Sequence, residues 1–375
     1  MPRFGLSIIG LVVLALVVTA CGDTPPPSSA APGSSTGTET STEPEPTTAG
    51  ESTAPTDAPS TGESRVATVQ DRGTLICGVN GSLPGFSFLD ESGNTVGFDA
   101  DFCRAVAAAV LGDSEAVEFR PLSADQRGPA LQTGEVDVLI RNTTWTVSRD
   151  TSWGLFGPTT FYDGQAIMAN ASLGATALED LDGATICVQS GTTTELNLTD
   201  QFRALNINFT PQVFADIDPT YQAYEEGRCD AVTSDRSQLV ALRTAFENPD
   251  DHVILDAVLS KEPLGPVAPL GDDQWFNVVK WAVFATIEAE EQGITSDNVE
   301  DMVSSENPVI ARLLGSDGDL GLGLDGDWVV NMISQVGNYA EIYERNLGSS
   351  TPFDLDRGLN SLWSDGGLLY APPYR

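Results

Sequence analysis

Three polar loops carry the side chains with the clearest capacity to bind a ligand. Arg149 ends the loop 141–149, the run Ser190-Gly191-Thr192-Thr193 opens a predicted helix, and Asp235 follows another apolar segment. An arginine can donate two parallel hydrogen bonds to a carboxylate, and a helix N-terminus offers further N–H donors to the same anion. An aspartate can pair with an ammonium group. Together these groups suit the zwitterionic head of an α-amino acid.

Each feature has a simpler structural explanation when it is taken alone. A single arginine is usually a surface residue, Gly-Thr-Thr is a common helix cap, and Asp235 could cap its own helix. Only the position of all three directly after predicted strands favours a shared binding site.

The elements that must position these loops alternate between strands and helices from Arg65 onward. The first series predicts strands 74–79, 117–122 and 136–140 with helices 99–111 and 124–133. The second predicts strands 184–189, 208–214, 229–233 and 252–258 with helices 193–205, 220–227 and 237–248. Such alternation indicates an α/β fold with mainly parallel sheets covered by helices, and two series indicate two lobes. Ligands in such sheets bind beyond the C-terminal strand ends, where the three loops lie.

Composition excludes several classes of function. The 375 residues include 54 acidic and 18 basic side chains, which give a formal charge of −36. Such a surface repels phosphate backbones, so we expect no nucleic-acid partner. A single histidine and two lysines leave little material for acid–base or metal chemistry. A binding protein without cofactor or metal is therefore favoured over an enzyme.

The N-terminus predicts export. Arg3 precedes an apolar run to Ala20, which is typical of a signal peptide at 1–20. Cys21 follows small residues, as in a bacterial lipobox, and would then be the lipidated first residue of the mature protein. An ordinary signal peptide with a chance cysteine, or an uncleaved anchor, is the alternative. Residues 21–64 are mostly Pro, Ser, Thr, Gly, Ala and acids, which predicts a disordered tether.

Four further cysteines, Cys77, Cys103, Cys187 and Cys229, allow three disulfide pairings in an exported protein. None of them has the Cys-x-x-Cys spacing of a zinc site, so we expect no metal site.

From about residue 65 to 375 the chain resembles the type II periplasmic solute-binding proteins of polar amino-acid ABC transporters, and within them the general L-amino-acid binding subfamily. The resemblance rests on eight ordered runs: LICGVN (75–80), GFDADFCRAV (97–106), GEVDV (134–138), RNTTWT (141–146), YDGQ (162–165), GTTTEL (191–196), GDDQW (271–275) and VGNY (336–339).

The resemblance implies a role for each site residue. Arg149 would bind the ligand α-carboxylate with the backbone N–H groups of Thr144 and Thr193, and Thr192 would contribute from the same turn. Asp235 would bind the α-ammonium group. The other implied contacts are the Thr144 hydroxyl and Asn142 carbonyl at the ammonium, and a side-chain pocket of Leu83, Phe86 and Trp145.

The same resemblance implies the domain organisation. Lobe 1 would comprise 65–167 and a return segment 265–305, and lobe 2 would comprise 168–264, joined by two hinge strands. A C-terminal helical extension would cover 306–375, including one helix from Trp328 to Asn346. Disulfides are expected within lobes, as Cys77–Cys103 and Cys187–Cys229, because a bridge between lobes would block closure.

The run Arg127-Gly128-Pro129 departs from the subfamily, which usually has an aromatic residue after the arginine. Gly-Pro should shorten or bend that helix, at a place that we expect to lie outside the ligand-binding loops.

These observations predict an extracytoplasmic monomer that binds free L-amino acids, delivers them to an ABC permease and is anchored to the membrane at Cys21. An enzyme on the same fold, such as a cyclohexadienyl dehydratase or a lytic transglycosylase, is one alternative, and a sensor domain is another. An enzyme would need a positioned acid or base, and the only histidine, His252, lies away from the predicted loops. The acidic runs 316–321 and 324–327 lack the closing glutamate of a calcium loop.

Overall fold

A computed structural model describes residues 64–318 and 320–375. The predicted signal peptide, the lipidation site at Cys21 and nearly all of the tether lie outside these residues. Among the described residues, no helix is both long and apolar enough to cross a membrane.

The described chain contains fourteen strands and twelve α-helices. The strands are β1 (Leu75–Val79), β2 (Ser82–Leu83), β3 (Ser87–Leu89), β4 (Thr95–Val96), β5 (Val117–Pro121), β6 (Val138–Leu139), β7 (Gly154–Phe156), β8 (Phe161–Asn170), β9 (Thr185–Gln189), β10 (Thr210–Phe214), β11 (Ala231–Asp235), β12 (His252–Ile254), β13 (Lys261–Leu264) and β14 (Val267–Pro269). The helices are α1 (Arg65–Arg72), α2 (Phe98–Leu111), α3 (Arg127–Gln132), α4 (Val147–Ser152), α5 (Thr193–Leu205), α6 (Ile217–Glu225), α7 (Arg236–Arg243), α8 (Asp273–Glu291), α9 (Val299–Met302), α10 (Pro308–Leu313), α11 (Trp328–Val336) and α12 (Tyr339–Asn346).

The first large sheet has the strand order β5-β1-β6-β14-β7. Strand β1 pairs in parallel with β5 and β6, whereas β14 pairs antiparallel with β6 and β7. Strand β1 at the interior of this sheet is apolar, and its Leu75, Cys77 and Val79 are fully buried under the covering helices. The disulfide Cys77–Cys103 joins β1 to α2.

The second large sheet has the order β10-β9-β11-β8-β12. Strand β9 pairs in parallel with β10 and β11, and β8 runs antiparallel to β11 and β12. The disulfide Cys187–Cys229 lies within this half. Both disulfides are thus the pairs that the resemblance implied, and the α/β two-lobed fold is confirmed, with more antiparallel pairing than the sequence predicted.

Strand β8 also belongs to the connection between the two halves. Its first residues pair antiparallel with β13, from Phe161↔Leu264 to Gly164↔Lys261, and its later residues enter the second sheet. The chain therefore passes from the first sheet to the second on β8 and returns on β13. Two adjacent strands in this position correspond to the predicted hinge.

Helix α8 packs against the first sheet. Trp275 is fully buried, and its indole N–H donates to the carbonyl of Asp137 at 2.8 Å. The apolar side of α8 is therefore part of the hydrophobic core.

The prediction of one helix from Trp328 to Asn346 is wrong, because the segment forms two helices. Gly337 has φ 95°, a left-handed conformation that glycine adopts without steric cost. Asn338 then caps α12, accepting from the Glu341 N–H while the Glu341 side chain accepts from the Asn338 N–H. This reciprocal capping box begins a new helix where the old one would have continued.

The C-terminal segment packs against the start of β8. The Tyr339 hydroxyl donates to the Thr160 carbonyl at 2.7 Å. The side chain of Asn360 accepts from the Tyr162 N–H at 2.6 Å and donates to the Tyr162 carbonyl at 3.2 Å. The extension therefore pairs with the hinge strand through a side chain rather than through a further strand.

Candidate functional site

A narrow cavity lies where strand ends from the two sheets meet. Its lining residues are Arg127, Arg141, Asn142, Thr144, Arg149, Gln189, Thr192, Thr193, Thr194, Ser234, Asp235 and Gln238. The three loops that the sequence singled out all contribute to it. The structure thus brings together Arg149, Thr144, Thr193, Thr192, Asp235 and Asn142, the six residues expected at the ligand head.

Hydrogen bonds connect the two sides of the cavity. The Asn142 amide donates to Gln238 Oε1 at 3.2 Å, and Arg149 Nη2 donates to the Gly191 carbonyl at 3.4 Å. Asn142 has φ 28°, a left-handed conformation in which asparagine is enriched. The lobes are therefore in contact, and the cavity is closed over by both of them.

Arg149 is held by its own helix and by an aromatic ring. The Thr146 hydroxyl caps α4 by accepting from the Arg149 N–H at 3.3 Å. Arg149 Nη1 donates to the Thr144 carbonyl at 3.0 Å, and the guanidinium lies 4.9 Å from the Trp153 ring centroid. Burial lowers the pKa of Arg149, although the nearby Glu262 and Asp235 oppose that shift. The result is a buried guanidinium fixed in direction.

The start of α5 offers backbone donors to the same space. The Thr192 hydroxyl caps the helix by accepting from the Glu195 N–H at 3.1 Å. The N–H groups of Thr193 and Thr194 donate no hydrogen bond to any described residue. Thr144 likewise donates none from its backbone within the described chain. Free N–H groups at a helix N-terminus favour an anion.

Asp235 has a buried carboxylate to which no group of the described chain donates a hydrogen bond. Its side chain accepts no hydrogen bond from the described residues, and the residue is only 5% exposed. Burial raises the pKa of Asp235 well above its ordinary value, and the carboxylates of Glu262 and Asp163 add to the shift. Arg127 and Arg149 oppose it only in part. A cation that approaches this carboxylate stabilises its ionised form.

A chain of hydroxyls links the two lobes to the hinge. The Thr193 hydroxyl donates to Glu262 Oε2 at 2.8 Å, and the Thr144 and Thr193 hydroxyl oxygens are 3.3 Å apart. Because the Thr193 proton is directed at the carboxylate, the Thr144 hydroxyl is the donor of this second bond. The lone pairs of Thr144 therefore remain available for a donor in the cavity.

The expectation that the run 127–129 lies outside the site is wrong, because Arg127 lines the cavity. Its Nη2 donates to the Gly191 carbonyl at 3.1 Å, and its guanidinium lies 5.5 Å from the Trp153 ring centroid. A Cβ on Gly128 would lie 2.7 Å from the Trp153 indole nitrogen. Glycine thus makes room for the tryptophan under two arginines, and α3 is short, as Gly-Pro predicted.

Sequence reasoning also missed Arg141, which lines the cavity although only Arg149 was expected there. Its position directly after the predicted strand 136–140 was the available signal. Gln189, Thr194, Ser234 and Gln238 were missed as well, and each lies at or just beyond a strand end that the sequence did identify.

Leu83, Phe86 and Trp145, the expected side-chain pocket, do not line this cavity. Leu83 and Phe86 are fully buried in the core, where Phe86 contacts Phe161 edge to face at 5.4 Å. Trp145 is 42% exposed and stacks on Phe156. Leu83 and Phe86 are apolar, and they pack in the hydrophobic core instead of facing the cavity.

The single histidine takes part in packing. His252 Nδ1 is 2.9 Å from the Tyr224 hydroxyl, and its ring lies against Phe246. Neither His252 nor these neighbours line the cavity. Over residues 64–318 and 320–375, no group of three His, Cys, Asp or Glu side chains is arranged to hold a metal ion.

Known proteins are similar to this chain in fold and in sequence. Residues 75–349 match the family described as bacterial extracellular solute-binding proteins, family 3. The general L-amino acid-binding periplasmic protein AapJ of Rhizobium johnstonii is 52% identical, over 82% of this chain and 92% of its own. The glutamate/glutamine/aspartate/asparagine-binding protein BztA of Rhodobacter capsulatus is 50% identical, over 82% and 92%.

A solved structure extends the comparison. The ABC transporter periplasmic binding protein of Brucella ovis with glutathione bound is 51% identical and superposes with a TM-score of 0.81, covering 84% of this chain and 100% of its own. These relatives are binding proteins, so the interpretation as a binding protein rather than an enzyme is confirmed. The chain belongs to family 3 of the bacterial extracellular solute-binding proteins.

Proposed function

We propose that this protein is the extracytoplasmic amino-acid-binding component of an ABC importer. It captures free L-amino acids between two closing lobes and presents them to a membrane permease. The observation that carries the proposal is one buried cavity lined both by the fixed guanidinium of Arg149 and by the unpaired carboxylate of Asp235. The names of AapJ and BztA support the same class of ligand.

The α-carboxylate binds to Arg149 and to backbone donors. Arg149 supplies a charge-assisted hydrogen bond, and the free N–H groups of Thr144 and Thr193 supply two more. Thr192 contributes by capping α5, which keeps the Thr193 N–H directed at the cavity. Since these donors belong to both lobes, the carboxylate favours the closed state over the open one.

The α-ammonium group binds to Asp235 and to the Thr144 hydroxyl. Asp235 accepts no hydrogen bond from the described chain, and Thr144 retains a lone pair because its proton is donated to Thr193. The Asn142 carbonyl is the third acceptor. An ammonium has three protons, and these three oxygens match that number.

Delivery to the membrane requires that the protein stay near its permease. The signal peptide at 1–20, lipidation at Cys21 and the flexible tether at 21–64 would achieve this. In the globular part, 65–167 and 265–305 act as lobe 1, 168–264 as lobe 2, and 306–375 as an extension that braces the hinge. We propose that the protein works as a monomer, because one chain supplies every group that the ligand head requires.

A thermal-unfolding screen of the full chain with each of the twenty L-amino acids tests this proposal. A ligand that binds only the folded state raises the melting temperature with concentration. We expect several amino acids to do so and their D-enantiomers to do so much less. A chain whose melting temperature responds to no L-amino acid would contradict the proposed function.

A further inference from the structure

We propose that Arg141 recognises the oxygen-bearing end of the ligand side chain, so that L-amino acids with a side-chain carboxamide or carboxylate are preferred ligands. This inference rests on the proposed function and adds the substrate class to it. It starts from a buried arginine whose charge the ligand head does not need.

Arg141 is only 4% exposed, yet its hydrogen bonds are incomplete. Its Nε donates to the Leu122 carbonyl at 2.8 Å, and its Nη1 reaches Asn142 Oδ1 only at 3.5 Å. Its Nη2 donates to no described residue. A guanidinium carries five N–H donors, so several of them face the adjoining open space without a protein partner. No enclosed side-chain atom of the described residues lacks a hydrogen-bond partner, so these donors are accessible to a ligand oxygen, which would gain a charge-assisted hydrogen bond.

No carboxylate of the described chain pairs with Arg141 within ion-pair distance. The nearest acid in electrostatic effect is Asp99, whose Oδ2 accepts from the Asn142 N–H at 2.7 Å. Burial raises the pKa of Asp99 to about 7, so its charge is only partly present at neutral pH. Burial lowers the pKa of Arg141 to about 10, which leaves it protonated. The guanidinium of Arg141 therefore has no direct ion-pair partner among the described residues, although Asp99, Asp235 and Asp216 act on it at longer range.

Arg141 stands between the amino-acid cavity and a second, more open chamber of about 1,010 Å³. Arg141 and Gln189 line both spaces, and Arg141 is the one cationic residue of the chamber lining. The other chamber residues are Asn80, Ser82, Pro121, Leu122, Ser123, Gln126, Ala215, Asp216, Ile217, Asp218 and Pro219. A side chain that leaves the first cavity towards the second passes this guanidinium.

The groups around that exit favour a polar side chain over an apolar one. Ser123 and Gln126 add a hydroxyl and an amide, and the acids Asp216 and Asp218 are exposed to solvent. An aliphatic side chain would leave the free donors of Arg141 unpaired. A side-chain carbonyl oxygen satisfies them, and the exposed acids moderate the preference for a full negative charge. Glutamine should therefore bind at least as well as glutamate.

Calorimetric titration of the full chain with L-glutamine, L-glutamate and L-norvaline tests the inference. Norvaline keeps the zwitterionic head and the chain length but lacks the terminal oxygen. We expect wild type to bind glutamine about 10- to 100-fold more tightly than norvaline, the range for one hydrogen bond to a charged group. Arg141→Met should lower the affinity for glutamine much more than that for norvaline, so that the ratio of the two affinities falls to about one. Arg203→Met, at a side chain 75% exposed on α5, is the control and should change nothing.

The outcomes separate this inference from the proposed function. Equal losses for all three ligands in Arg141→Met would make Arg141 a structural residue, and unchanged ratios would exclude any role in selection. Either result overturns the inference while amino-acid binding stands. A wild type that binds none of the three contradicts the proposed function itself. If Arg141→Met does not fold, Arg141→Lys replaces it, because an ammonium cannot reproduce the planar fork. An unchanged glutamine-to-norvaline ratio in that variant overturns the inference too.

Discussion

Replacing Arg149 by methionine removes the group that the account assigns to the ligand carboxylate. Methionine retains much of the contact with the Trp153 ring, which the guanidinium now covers at 4.9 Å. The Thr144 carbonyl loses its donor within the same loop, whereas the Gly191 carbonyl keeps the Arg127 Nη2 donor at 3.1 Å. The variant should therefore fold normally when ligand-free.

The loss of affinity follows from the burial of the site. Removing one partner of a buried charge pair costs about 3–5 kcal/mol, because the other charge stays buried and unpaired. The backbone donors of Thr144 and Thr193 remain, so we take the lower part of that range. Arg149→Met should then weaken binding by about two to three orders of magnitude.

Calorimetric titration of wild type and variant with L-glutamine measures this loss, and thermal unfolding without ligand measures the effect on the fold. Arg203→Met again serves as the exposed control. An affinity within about tenfold of wild type would refute the assignment of Arg149. A large drop in ligand-free melting temperature would show that the guanidinium supports the fold instead.

Three further predictions concern the neighbouring groups. Because burial raises the pKa of Asp235, acidification should protonate the carboxylate of the ligand-free protein, weaken binding and make binding release protons. Titrations in buffers of different ionisation enthalpy detect these protons, and Asp235→Asn should abolish the release. Gly128→Ala should push Trp153 away from both arginines at a cost of about 1–3 kcal/mol, seen in denaturant unfolding and in affinity. Asn360→Ala should lower the free energy of unfolding by about 1–3 kcal/mol, because it removes both hydrogen bonds to the Tyr162 backbone. An unchanged free energy of unfolding would contradict the proposal that the extension supports the hinge strand.

The loops of the site could be predicted because their signal is local. Strands β6, β9 and β11 are short apolar runs, and the rule that ligands bind at strand ends directs attention to the residues that follow. The N-terminus of α5 was predicted at Thr193, where the Ser-Gly-Thr-Thr run caps it. Sequence reasoning therefore identified which loops meet without identifying every side chain in them.

The contribution of Arg127 and the packing of Phe86 could not be predicted, because the direction of a side chain depends on packing between distant segments. Arg127 points into the cavity because Trp153 supports it, and Gly128 leaves space for that ring. Phe86 was assigned to the ligand, yet its edge-to-face contact with Phe161 places it in the core. The sequence marks all of these residues only as apolar or charged.

The bounds of hinge strand β13 and the helix break inside the extension were not predicted, for a related reason. Strand β13 contains Glu262, which is completely buried, and Pro263, so it lacks the apolar alternation that predicts a strand. The break at Gly337 and Asn338 lies inside a long helical pattern and becomes evident only through the capping box with Glu341.

We propose above all that the protein binds both charged groups of a zwitterion in one closed cavity. Calorimetric titration of the full chain with L-alanine, with propionate and with ethylamine tests it most directly, because the last two each lack one charged group of the first. We predict saturable one-to-one binding of L-alanine and no measurable binding of either analogue. Propionate or ethylamine binding as tightly as L-alanine would contradict the account.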